Sequence, residues 1–182
     1  VRDIDLSKTS YKSNESESTT SIITKDIATF EGDNHTIKNV AATLFSNVTT
    51  LNNLRVTTVV NGDKGITGSA VVANEVGTAK NVVATGILTG DDTTVGGLFA
   101  TATGALENCK NYVKIDVSGK ENAKVGGIAG VGASATYCIN YSPINVEGST
   151  GSYVGGIFGQ VTSAISYCGN ENTVFNLSLI HI

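Results

Sequence analysis

The chain repeats itself. "VGGLFATATGALENCKNYVKIDVSG" from Val95, "VGGIAGVGASATYCINYSPINVEG" from Val125 and "VGGIFGQVTSAISYCGN" from Val154 each hold a glycine pair, a cysteine and an asparagine. Self-similarity at a fixed period of about 20–50 residues marks a solenoid and constrains the fold before any local reading. Aligned on the cysteine, Cys109, Cys138 and Cys168 stand 29 and 30 residues apart, and the column extends back to Val82 and Leu54. Three residues earlier lies an apolar row, Leu51, Ala79, Leu106, Ala135 and Ile165; two residues later lie Val56, Ala84, Asn111, Asn140 and Asn170. A fourth row is expected at Gly62, Gly90, Gly119 and Gly148, spaced by 28, 29 and 29.

Within one repeat, "VGGIAG", "ATYCINY" and "PINVE" are extended stretches parted by glycine-bearing or polar corners. Such short runs rich in Val, Ile and Tyr suit strands, and none is long enough for a helix. Three strands per period predict an all-β chain, a right-handed parallel β-helix of five to six coils. Corresponding residues then stack about 4.8 Å apart, so side chains that tolerate their own kind are reused. Apolar columns build a continuous core, each buried side chain contributing about 1.5–3 kcal/mol. Stacked asparagines can bond along the axis as amide ladders. The pairs Gly96–Gly97, Gly126–Gly127 and Gly155–Gly156 mark corners where a Cβ would clash or φ must be positive.

Residues 1–176 read as one β-helix domain, with repeats near 41–65, 66–94, 95–124, 125–153 and 154–176. The run from Ser7 to Ser21 is polar and low in complexity, a loop on the first coil. The tail "LSLIHI", Leu177 to Ile182, breaks the pattern and reads as a translated sequencing-library adaptor, so it is set aside. With no methionine at position 1 or elsewhere, the chain is expected to be part of a larger protein, lacking at least its C-terminal cap. Solenoids need caps, and an open last coil near Phe175 would invite self-pairing. A formal net charge of −4 offers no basic face for nucleic acid. No apolar run approaches the roughly 18 residues of a membrane span.

The segment "ATFEGDNHTIKNV", Ala28 to Val40, precedes "LFSNV", "LNNLRV" and then the VGG phrases. In this order the chain resembles bacterial surface proteins carrying GLUG-type repeats on a pectate-lyase-like right-handed β-helix. Asp3 to Leu6 matches the family's opening strand; Thr29, Phe30, Gly32, His35, Thr36 and Ile37 match its "TFxGxxHTI" pattern, and Val95, Val125 and Val154 its "VGG[LI]" starts. The copy "ITGSAVVANEVGTAKNV" departs, keeping one corner glycine. The resemblance implies an extracellular or cell-surface location for a structural, adhesin-like module, and does not itself imply a catalytic activity.

The cysteines admit three readings: metal site, disulfide or core. Zinc ligands come in closely spaced pairs, whereas each cysteine here stands alone in its repeat. Stacked neighbours fall within the Cα separation of a disulfide, but in-register side chains point the same way and three cannot all pair. The favoured reading is a small buried hydrophobe sharing a column with Val82 and Leu54. His35 has no partner named by the sequence and is read as structural. No cofactor is expected. The enzymatic alternative is a polysaccharide-cleaving lyase or hydrolase needing paired carboxylates, for which Asp91, Asp92 and Asp116 are the candidates. The only arginines are Arg2 and Arg55, Arg55 has no acidic row beside it, and "NTD" and "GHG" are absent.

Tyr137 and Tyr167 share one column and Tyr112 and Tyr141 another, each of parity opposite to a core row. Outward stacked tyrosines would form a flat aromatic strip able to contact a glycan or a host surface protein; ordinary sheet-surface stacking is the plainer account. The variable corners, above all Lys120–Lys124 and Ser149–Tyr153, are the other places to seek a partner.

Overall fold

The computed structural model describes residues 2–7 and 21–177. Positions 8–20 of the Ser7–Ser21 run and 178–182 of the Leu177–Ile182 tail lie outside the described residues; at their edges Ser21 instead opens a strand, and Leu177 continues the pattern by pairing with Glu147. Every regular element among the described residues is a β-strand, and the strands pair in parallel to form a solenoid of about five turns.

The later turns visit three sheets, whereas the short third sheet has no strand before Thr94–Gly96. One turn runs through Phe99–Glu107 in the second sheet, Lys110–Ser118 in the first and Lys124–Gly126 in the short third, then returns to Ala129–Thr136. The first sheet orders its strands by coil, so Val83–Gly90 lies between Arg55–Thr58 and Lys110–Ser118. Their alternation puts Asn111, Val113, Ile115 and Val117 inside, and Tyr112 in solvent. The core is therefore a stack of columns. Leu51, Ala79, Leu106, Ala135 and Ile165 are in register in the second sheet. Val56, Ala84, Asn111, Asn140 and Asn170 are in register in the first, which Ile37 extends by one coil.

The expected glycine row does not exist as one file. Gly119 follows Ser118 and Gly148 follows Glu147, residues that pair, and the two glycines share φ values of +66° and +62°. Gly90 instead pairs with Val117 and Gly68 inside the first sheet. Gly62 belongs to an insertion: Thr57 faces Thr85 and Ile66 faces Leu88, so six extra residues loop out between them. Its spacing of 28 from Gly90 arises because that insertion offsets shorter segments elsewhere. The departing copy also keeps neither corner glycine, since Ala70 occupies the position of Gly96 and places Val71 beside Gly97.

The VGG corners are not left-handed. Gly96, Gly97, Gly126, Gly127, Gly155 and Gly156 are absent from the residues with positive φ. They are glycine because of close approach. A Cβ on Gly126 would sit 1.9 Å from the Ala129 carbonyl oxygen, and one on Gly127 2.1 Å from that of Gly156.

Candidate functional site

The residues that recur most are brought together along one edge of the first sheet, where the chain turns from the second sheet into the first. The turning residue is left-handed in five successive coils: Asn53, Asn81, Asn108, Tyr137 and Tyr167, with φ between 49° and 56°. Asparagine tolerates this conformation because its short side chain bonds locally. Here it also bonds between coils, Asn81 Nδ2 donating to Asn53 Oδ1 and Asn108 Nδ2 to Asn81 Oδ1, both at 2.7 Å. This outer ladder escaped the sequence reading. Its signal was the residue immediately before the cysteine column.

The turn aims the next backbone N–H inward, and the cysteines answer it. Cys109 N–H donates to Cys138 Sγ at 3.4 Å, and Cys138 N–H to Cys168 Sγ at 3.3 Å. Each thiol in turn donates to the carbonyl two residues before it, that of Glu107, Thr136 or Ser166. Cys109 and Cys138 are buried, Cys168 is partly exposed, and all three are free thiols. The neighbouring Cys138 thiol, then burial, holds the Cys109 thiol well above its ordinary pKa, while Cys138 itself is lowered by that contact; burial raises Cys168 as well. A cysteine here is more than a small hydrophobe, because sulfur accepts an amide that a valine side chain would leave without a partner. Among the described residues no three His, Cys, Asp or Glu side chains group as metal ligands.

Two residues on, Asn111 Nδ2 donates to Asn140 Oδ1 and Asn140 Nδ2 to Asn170 Oδ1, each at 2.7 Å. The same amides hold their own strands, Asn111 Oδ1 accepting from Val113 N and Asn140 Nδ2 donating to the Ser142 carbonyl. The second glycine of each pair lies over this ladder. A Cβ on Gly97, Gly127 or Gly156 would fall 2.4–2.6 Å from side-chain atoms of Asn111, Asn140 or Asn170. One coil earlier the column is Ala84, and the position beside Gly97 is Val71. Volume given up at one site is taken up at the other, so glycine and asparagine recur together.

The tyrosines stack as expected, but they do not make a flat strip. Tyr112 and Tyr141 have ring centroids 4.7 Å apart and planes within 5°; Tyr137 and Tyr167 are at 5.2 Å and 17°. Coplanar rings cannot approach so closely, so within each pair one face of each ring is covered by its partner. Tyr167, 79% exposed, is the most open of the four. Burial, then the Glu171 carboxylate, raises the Tyr141 phenol.

The remaining candidates are dispersed. Asp116 is held by Lys114 Nζ at 2.9 Å and by Asn145 Nδ2 at 2.8 Å, on a shallow outer groove with Thr89, Ser118 and Glu147. Asp92 accepts from Thr93 N and Ser69 Oγ at a corner elsewhere. His35 lies 3.6 Å from Asp3 and 3.9 Å from Asp33. Arg2 and His35 line one cleft near the first coil, whereas Arg55 is exposed on the outer row. In the corners, Ser149 is buried and accepts from Lys120 N, while Tyr153 stands 60% exposed. No protein-family model and no curated protein matches the chain.

Proposed function

We propose that this chain is a non-catalytic, adhesin-like structural module of an exported bacterial cell-surface protein, of the GLUG-repeat kind its motifs resemble. The observation that supports this reading is the Asn111–Asn140–Asn170 ladder seated on Gly97, Gly127 and Gly156. The phrase that gives the chain its family likeness is absorbed in joining coil to coil. Its recurrence therefore needs no substrate to account for it. A rigid rod of uniform rise is the product of such packing, and distance is what a rod supplies.

Two experiments test the reading. Antibody against the chain should label intact cells of the producing bacterium; labelling only after permeabilisation would overturn the surface assignment. Deleting Lys110–Cys138 joins Cys109 to Ile139 in register and should leave a folded rod shorter by about 4.8 Å in small-angle scattering. An unfolded product would overturn the modular assignment.

A second reading, a glycan-binding face, draws support from Tyr137 and Tyr167, which occupy left-handed corners that asparagine fills in the earlier coils. Backbone strain at an exposed aromatic is a recognised companion of function. Serine at Tyr137 and Tyr141 should then lower glycan-array binding, and unchanged binding ends the idea.

A further inference from the structure

The insertion between Thr57 and Ile66 carries the one Asn–Gly step in the chain, Asn61–Gly62. It closes as a two-residue turn, Asn61 N–H donating to the Lys64 carbonyl at 2.9 Å and Lys64 N–H to the Asn61 carbonyl at 3.2 Å. Val60, Asn61, Gly62, Asp63 and Lys64 are all exposed. Gly62 has φ +63° and nothing within 4 Å of where a Cβ would stand.

We propose that Asn61 is a self-modification site, converting to aspartate and isoaspartate without any enzyme. The Gly62 nitrogen attacks Asn61 Cγ and loses its proton to solvent. The Cγ–Nδ2 bond breaks and Nδ2 leaves as ammonia. Water then opens the succinimide at either carbonyl, giving aspartate or, through the other opening, an isoaspartyl linkage. No oxidant or cofactor enters. The reaction needs a nitrogen that a following side chain does not shield, and glycine alone provides it.

Other asparagines are protected in two ways. Each is followed by a residue with a Cβ, such as Val48 after Asn47, Cys109 after Asn108 and Tyr141 after Asn140. The ladder amides of Asn81, Asn108, Asn111 and Asn140 are also held in hydrogen bonds. Asn61, by contrast, lies outside the coil register, so its conversion adds a negative charge beside Asp63 and, through the isoaspartyl form, a backbone methylene that breaks the turn.

The test is incubation of the whole chain near pH 8 and 37 °C, with peptide mass mapping and isoaspartyl methyltransferase labelling. The expected result is a one-dalton gain arising first in the peptide holding Asn61, with methyl-accepting isoaspartate there. Gly62→Ala should slow that gain on the order of tenfold or more, since its methyl shields the attacking nitrogen. Asn61→Gln should abolish early labelling while leaving the circular dichroism spectrum unchanged. Earlier conversion at any other asparagine, or an equal rate in Gly62→Ala, would overturn the proposal.

Discussion

The backbone N–H of Cys109 donates to the sulfur of Cys138 in the next coil, at 3.4 Å. A left-handed residue turns that amide into the core, where water cannot reach it, and a thiol from the following turn receives it. Replacing Cys138 with alanine leaves a buried donor without its partner and opens a small void. The expected loss is about 2 kcal/mol in urea unfolding. Wild-type stability in Cys138→Ala would show that the bond contributes nothing.

The Cys109 thiol titrates above its ordinary pKa of 9.0 in the folded chain. Its neighbour Cys138 is lowered by the same contact, so the two shifts oppose one another in the pH dependence of stability, and Cys109→Val, which borrows the residue found at Val82, removes both together. In native protein an aromatic disulfide reagent should modify Cys168 before Cys109 or Cys138, because only Cys168 is partly exposed.

Two glycine substitutions separate close approach from backbone conformation. At Gly127 a methyl group meets the Gly156 carbonyl and Asn140 together, and the cost should reach about 3 kcal/mol. Shortening Asn140 to alanine should not rescue it, because the carbonyl remains. At Gly119 there is open space but a φ of +66°, so alanine should cost only about 1 kcal/mol. Equal melting temperatures for the two variants would contradict this division.

Tyr137 sits at φ 56° between Asn108 and Tyr167. Tyr137→Asn restores the residue used in the earlier coils and can extend the outer ladder, while giving up a ring pair worth about 1 kcal/mol. Its stability should lie within about 1 kcal/mol of wild type, whereas Tyr137→Val, β-branched at a left-handed corner, should be clearly less stable. Calorimetry of the two decides it.

At the other end, Asp3 ties the first strand down. It accepts from Lys38 Nζ and from Thr36 N, both at 2.9 Å, and Lys38 then Thr36 lower its pKa from 3.8 to about 2. A lowered folded pKa gives a contribution present above pH 3.8 and lost as the pH falls toward 2. Carboxyl chemical shifts should show Asp3 titrating near 2, and Lys38→Ala should move that midpoint upward.

Periodicity alone determined the class of fold: cysteine, apolar and asparagine columns recurring every 27 to 30 residues leave a chain few ways to bury them except by stacking. It could not resolve the glycines. Gly62, Gly90, Gly119 and Gly148 look alike in spacing, yet one lies in an inserted turn, one inside a sheet and two at left-handed corners, because loop lengths trade off without leaving a mark on the count. Nor could it show that Asn111 needs Gly97, or that Cys138 serves the amide of Cys109. Those partners are a coil apart or on a facing wall. Only the closed turn brings their atoms within bonding distance, and there sterics and unmet hydrogen bonds, not pattern, decide which residue can stand.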